Sequence, residues 1–461
     1  MSVSIDRLGN SFFTTRIPLL ALAALVFFNL NGKISAAEKM PSFEPKRAYD
    51  LGSLVELAMA NNPKTRSALF SALAAEAAAG EARSPYWPQL SAQFLGGYDK
   101  WYTPATAAPD FFRRQQATTV LSIEYLLLDF GRRAADVSRA VALFEASGLL
   151  FDRKVQEVVF SVQSRFFAHE AALTKESAAV AMLESAGTAM ETTRLEVENG
   201  LSARPELLRA KRSLMDAEYQ LAAARALTRN TLGELCVAVG LPANAPVKLA
   251  AKASPATTAP LREEVGGMIQ KALAIRPDLA AKAEEVRASE AATRRAGADF
   301  LPEVRLEGNY AYSAFQYDSD TGPKSNSNAA GVNGYGAFLN VEWDLFDGFE
   351  RVERLRKKSA EEQAARENLV TAQLDASRDV WTTYHDTLSA ARRIDSAEAF
   401  VASAQENFSA IETSTRTGLS QISELAEAAG ILAEARFERA EALAIYSTRL
   451  AELALAVGSV R

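Results

Sequence analysis

Ile123-Glu-Tyr-Leu-Leu-Leu-Asp129 is answered 218 positions later by Val341-Glu-Trp-Asp-Leu-Phe-Asp347. Each stretch opens on an apolar-polar-aromatic alternation, and each ends in an Asp with a glycine close behind, at Gly131 and Gly348. Two further pairs share the 218 offset: Gly200-Leu-Ser202 with Gly418-Leu-Ser420, and Ala238-Val-Gly240 with Ala456-Val-Gly458. Upstream the spacing is 214, pairing Ala60-Asn-Asn-Pro63 with Ala274-Ile-Arg-Pro277 and Tyr86-Trp-Pro-Gln-Leu90 with Phe300-Leu-Pro-Glu-Val304. The second half therefore carries four extra residues between Pro302 and Val341, where a loop belongs. Self-similarity held over such a length means two copies of one unit. The first copy spans 38–243 and the second 263–461, joined by an irregular Pro/Ala/Thr-rich connector over 244–262.

Each copy opens with a helical segment, about Leu51–Arg83 and Glu264–Ala298, followed by two alternating stretches. In the second copy Val304, Leu306, Tyr310 and Tyr312 share one face and Glu303, Arg305, Glu307 and Asn309 the other. The partner stretch sets Leu339, Val341, Trp343 and Leu345 against Asn340, Glu342 and Asp344. The first copy sets Leu90, Ala92, Phe94 and Tyr98 against Gln89, Ser91, Gln93 and Asp99, then Ile123, Tyr125 and Leu127 against Ser122 and Glu124. Strands of about ten residues, aromatic at their ends and charged on one face, have the pattern of a membrane barrel wall. Their loops, Lys100–Arg114 and Gln316–Asn333, are polar.

Beyond Gly348 no Gly or Pro interrupts Glu350–Thr417, and an unbroken helix of that length reaches roughly 100 Å. Seven-residue spacing (Leu374, Trp381, Leu388, then Ile394, Val401, Phe408; in the first copy Val159, Phe166, Leu173, then Leu183, Met190, Val197) specifies helix-on-helix supercoiling. Gly200 and Gly418 end these helices, and a second helix returns to Gly240 or Gly458. Each copy is a strand hairpin mounted on a long helical hairpin.

The chain holds 461 residues with 51 Lys+Arg against 57 Asp+Glu, an acidic balance that argues against nucleic acid as partner. Arg7 and Arg16, the apolar run Ile17–Leu30 and the small residues Ser35, Ala36 and Ala37 compose a secretory signal peptide over 1–37. Its removal takes away Arg7, Arg16 and Lys33 against Asp6 and moves the net charge from −6 to −8. No Cys stands near the cleavage point to carry a lipid, and the single Cys236 forms no intrachain disulfide. His169 and His385 are not at matched positions, and no nucleophile elbow, phosphate loop or zinc spacing occurs. The expectation is a non-enzyme without metal or cofactor.

With no later apolar run long enough for a membrane helix, strands must do any spanning. Four strands cannot close a barrel, and unpaired edges in lipid are forbidden, so the chain must associate through its strands; three copies give twelve. The repeated Pro-then-Leu-Pro segments, Leu345-Phe-Asp-Gly348 and the tip Gly-Leu-Ser resemble the TolC-like outer-membrane efflux protein family over about Asp50–Arg461. That resemblance implies a mainly helical homotrimer in the outer membrane of a Gram-negative bacterium, with a twelve-stranded β-barrel and an α-helical periplasmic tunnel. It also implies a periplasmic adaptor (membrane fusion) protein and an inner-membrane pump, of RND or ABC type, that supplies the energy. Drug efflux, metal efflux and type I secretion all use such a duct.

The resemblance further implies that Glu424 and Glu427 narrow the periplasmic mouth beyond the Gly418 tip, and that Glu206, beyond the Gly200 tip, helps latch it. The latch's Tyr and Arg partners are replaced by Thr415 and Ser420, with Arg416 nearby. Ile123, Tyr125, Val341 and Trp343 are the residues expected to face lipid. A non-channel periplasmic coiled-coil adaptor or tether would account for the helices and leader but leaves the four alternating strands without a purpose.

Overall fold

The computed structural model describes residues 43–45, 47–103, 110–250, 264–319, 328–417 and 419–459. The leader over 1–37, most of the connector, the two loop centres and Gly418 lie outside the described residues. In chain order the elements are β1 (Ala48–Tyr49), α1 (Leu51–Asn61), α2 (Pro63–Ala82), β2 (Gln89–Thr103), β3 (Asp110–Leu128), α3 (Arg132–Glu198) and α4 (Arg204–Val239). Then follow β4 (Lys248–Leu249), α5 (Val265–Ile275), α6 (Pro277–Ala298), β5 (Glu303–Ser319), β6 (Asn328–Glu342), α7 (Glu350–Arg416) and α8 (Ile422–Val457).

The helices expected over 51–83 and 264–298 are two each. Asn62 and Arg276 precede prolines, which drives them to extended backbone (ψ 125° and 123°) and ends α1 and α5. Pro63 and Pro277 then open α2 and α6, where a missing N–H costs nothing. The same two residues explain why the Ala-x-x-Pro and Ala-Val-Gly signatures travel together. The Asn62 amide donates to Ala238 O (2.7 Å) and the Arg276 guanidinium to Ala456 O (3.3 Å), tying each break to the end of its return helix. Gly240 (φ +91°) lies so near that an added Cβ would stand 2.8 Å from the Asn62 Cα; at Gly458 (φ +81°) the Arg276 Cα would be 3.2 Å away.

The connector also departs from its irregular reading, since Lys248–Leu249 pairs parallel with Ala48–Tyr49. Both long helices run 67 residues, about 100 Å of rise. Much of the heptad of large residues packs within the chain: Val159, Phe166 and Ile394 are buried, and Leu183, Val401 and Phe408 lie against buried clusters, with alanines and threonines filling the rest of the stripe. Leu374 and Trp381 are 67% and 52% exposed, while Ala376, Val380, Thr383, Thr387, Ala390 and Ile394 are buried. Small side chains let helices approach closely and interdigitate. In the tipward part, Ala404 packs with Leu432 and Ala435, and Ala179 with Leu221 and Ala224.

α3 packs on α2, α4, α6 and α8, whereas α7 packs on α5, α6 and α8. The four-stranded antiparallel sheet follows the same order, β2-β3-β5-β6. Within the chain, then, β2, α2 and α4 stand at one margin and β6 and α7 at the other. The strands run 15, 19, 17 and 15 residues, longer than the ten expected. Segments read as polar loop continue the ladder: Asp99 is the partner of Arg114 in the register and takes its guanidinium. Ladder hydrogen bonds join backbone to backbone and do not require apolar side chains.

Candidate functional site: channel wall, strand-to-helix junction and helical tips

Antiparallel partners share a face, so the register tests the alternation read above. Leu90, Ile123, Gly308 and Ala337 form one rung; Gln89, Glu124, Glu307 and Phe338 form the next, on the opposite face. Tyr125 aligns with Leu306 and Leu339, and Val304 with Val341, on the apolar side. Ile123 is accommodated because a Cβ on Gly308 would lie only 2.8 Å from its Cγ2. On the polar side Arg305 bonds Glu124 (3.0 Å) and Glu303 (2.6 Å). Ile123, Leu339 and Val341 are exposed, an apolar sheet face that none of the described residues covers. Trp343 departs from the reading: β6 ends at Glu342, and the Trp343 indole donates to Phe300 O (3.1 Å) in the turn toward the helix.

At that turn each copy reverses its backbone through two left-handed residues, Phe130-Gly131 and Gly348-Phe349. A phenylalanine at positive φ costs about 1–2 kcal/mol, and an Asp-Arg clasp secures it. Asp129 accepts from the Arg133 N–H (2.6 Å) and guanidinium (3.0 Å), and Arg133 also donates to Leu126 O and Pro85 O. Asp347 likewise accepts from the Arg351 N–H (3.0 Å) and guanidinium (2.7 Å). The guanidinia lie over Tyr86 and Phe300 respectively. Sequence reasoning named the aspartates but missed the arginines, although both stand four residues on.

At the far end α3 terminates at Gly200 (φ +73°), where the Leu201 N–H reaches back to Glu196 O (2.8 Å) in a Schellman closure. The Leu419 N–H does the same to Ser414 O (2.8 Å), beside Gly418, which is outside the described residues. Leu201 and Leu419 are 80% and 83% exposed. Glu206 and Glu424 each occupy the third residue of the return helix, in the first turn where the helix dipole favours an anion. One turn further the two tips differ. Arg209 follows Glu206 and pairs with it (2.8 Å), whereas Glu427 follows Glu424. Both of these glutamates are exposed, and neither has an ion-pair partner among the described residues. Glu206 and Arg416 are not brought together: Arg416 pairs with Glu412 (2.7 Å) on its own helix. The 218 offset, applied to Glu206 and Arg209, was the signal that exposes this contrast.

Above the tips, His169 is buried between α3 and α4, its Nδ1 2.9 Å from Thr231 Oγ1, and burial lowers its pKa below the ordinary 6.5. Among the described residues no cluster of His, Cys, Asp and Glu is arranged to hold a metal, and no helix is long and apolar enough to cross a membrane.

The outer membrane efflux protein family matches the sequence at residues 54–241 and again at 268–459. The chain belongs to that family. Protein CyaE of Bordetella pertussis is 26% identical over 370 residues, covering 78% of this chain and 74% of CyaE. The fold is that of the Campylobacter jejuni CmeC outer membrane channel (TM-score 0.74, 17% identity, covering 93% of this chain and 91% of CmeC). The open-state MtrE outer membrane channel of Neisseria gonorrhoeae superposes at TM-score 0.69 with 19% identity and 89% of each chain covered. This outer membrane efflux protein has its place in the Gram-negative outer membrane and extends into the periplasm.

Proposed function

We propose that this efflux protein is the passive exit duct of a tripartite efflux or type I secretion system, working as a homotrimer. The observation that carries the reading is the uncovered four-stranded sheet, apolar on one face, charged on the other and open at β2 and β6. A lone sheet of this kind leaves edge amides unpaired in lipid, at several kcal/mol each. Three copies joined edge to edge make twelve strands, an even number that removes every edge. The apolar rungs of Ile123, Tyr125 and Val341 then face lipid, Trp343 anchors at the interface, and Glu124, Arg305 and Glu307 line water. Coaxial helices about 100 Å long carry the passage across the periplasm to an adaptor protein and an RND- or ABC-type pump.

Outer-membrane fractions examined by unboiled electrophoresis are expected to show a species of about three times the chain mass, collapsing to monomer on boiling. A soluble monomer in the periplasmic fraction refutes the duct and revives the tether.

A further inference from the structure

Charge is spread unevenly along this acidic chain. Where the four helices α2, α3, α6 and α7 meet the sheet, residues 80–88, 129–140, 291–302 and 347–358 carry eleven Lys and Arg against seven Asp and Glu. That surplus of bases is local. The next stretches away from the sheet, 70–79, 141–151, 280–290 and 359–369, each hold more acid than base. A basic band therefore sits at the level of the strand-to-helix turns.

Six of its seven acids are engaged from within. Asp129 is held by Arg133, Asp347 by Arg351, Asp136 by Arg295, and Asp299 by Arg132, Arg295 and Arg354. Glu350 and Glu353 are exposed but pair with Arg354 and Arg356 on their own helix. Glu81 alone has no ion-pair partner among the described residues. The bases facing outward are freer. Arg83 closing α2, Arg139 on α3 and Arg294 on α6 are exposed, and none has an ion-pair partner among the described residues. Lys357 on α7 occupies the place of Arg139 in the second copy, is 69% exposed, and reaches Glu361 only at 3.9 Å. Such a surface contact is worth little in water. Each helix thus offers one outward base. Arg139 and Lys357 stand seven residues into their helices, about 10 Å from the start, and Arg294 four residues from the end of α6, about 6 Å. A headgroup layer is roughly 5–7 Å thick, within reach of a long side chain that snorkels toward it. The turns at this level carry exposed aromatics, Trp87 and Phe346 at 73% and Trp343 at 57%.

We infer, taking the strands as the membrane wall proposed above, that this band is a docking surface for anionic phospholipid in the periplasmic leaflet, with Arg83, Arg139 and Arg294 donating to headgroup phosphates. Aromatic rings at headgroup depth with a base cluster just outside them form the arrangement that anchors on acidic lipid. A guanidinium gives a phosphate two parallel N–H donors. A zwitterionic headgroup brings an ammonium of its own, which the surplus of bases repels; a phosphatidylglycerol headgroup brings none. α3 and α6 lie inside the chain's own helix order, α2-α3-α6-α7, so Arg139 and Arg294 stay open whatever covers the two margins.

The test reconstitutes the full protein in phosphatidylcholine vesicles with traces of spin-labelled phosphatidylglycerol or spin-labelled phosphatidylcholine. Electron paramagnetic resonance then reads the fraction of each label that the protein immobilises. Preference for phosphatidylglycerol is expected to be several-fold at low salt and to shrink as salt screens it. Arg83→Gln, Arg139→Gln and Arg294→Gln together are expected to abolish the preference without changing total immobilised lipid, since all three side chains are exposed. Arg204→Gln, Lys211→Gln and Arg212→Gln, an equal loss of charge on exposed residues near the Gly200 tip, are expected to leave it intact. An undiminished preference in the first variant, or the same loss in the second, overturns the lipid surface. So does inorganic phosphate that removes the preference at an ionic strength where sodium chloride does not, because the bases would then hold a free anion. Protein that immobilises neither label overturns instead the membrane-wall reading itself.

Discussion

At the residue scale the contrast between the two tips is the sharpest functional signal. Glu206 is neutralised by Arg209, while the corresponding Glu424 and Glu427 present two uncompensated carboxylates. In the proposed trimer a threefold axis near the second tip would gather six of them, and a narrow throat would strengthen their field. Replacing both by Ala is expected to abolish block of single-channel current by divalent cations while leaving the trimer yield unchanged, since neither side chain is buried. Identical block in both proteins would show that these glutamates are only a solvated helix face. His169 makes a second prediction. Its folded pKa lies below the unfolded value of 6.5, so the unfolded chain binds the proton more readily and stability falls as pH drops through that value. Thr387 occupies the matching place in α7, with its hydroxyl bonded to Thr383 O (2.6 Å). His169→Thr should therefore flatten the loss of trimer melting temperature between neutral and mildly acidic pH. An unchanged slope assigns the acid sensitivity elsewhere.

Among the elements, the junction between return helix and proline break depends on one glycine per copy. Gly240 combines positive φ with a contact that no side chain tolerates. Gly240→Ala is expected to destabilise by more than the 1–2 kcal/mol of a left-handed alanine, read as a lower melting temperature than Gly187→Ala, where a Cβ meets nothing. The strands carry a prediction of facing. Tyr125→Arg sets charge against hydrocarbon, about 2–4 kcal/mol near the midplane, whereas Glu124→Arg exchanges one charge for another in water. Outer-membrane yield should fall for the first and hold for the second, and equal yields would mean that the register or the barrel itself is wrong.

For the whole molecule, a passive duct needs no energy of its own. Reconstituted alone in a planar bilayer, the trimer is expected to conduct steadily without nucleotide. Conductance that appears only with ATP hydrolysis would contradict a role in which the inner-membrane partner does the work. In the proposed system the cargo would be set by that partner.

The sequence alone determined the elements and their two-fold recurrence, because local causes write them locally. Strand alternation, a 67-residue run without helix breakers, prolines at 63 and 277 and glycines after each long helix all act within a few residues. It also determined which strand residues share a face, since the side-chain period is two whatever the partner. The tertiary structure settled the meetings of residues far apart in the chain. Asn62 reaching Ala238, Arg305 joining Glu124 and Arg295 joining Asp136 have no local signature. It decided too that Leu374 and Trp381 turn outward while Val159, Phe166 and Ile394 of the same heptads are buried beside alanines and threonines. Heptad spacing marks a stripe as apolar but not which neighbour covers it. It carried the ladder into segments whose polarity reads as loop, because backbone hydrogen bonds, once paired in register, do not consult the side chains beside them.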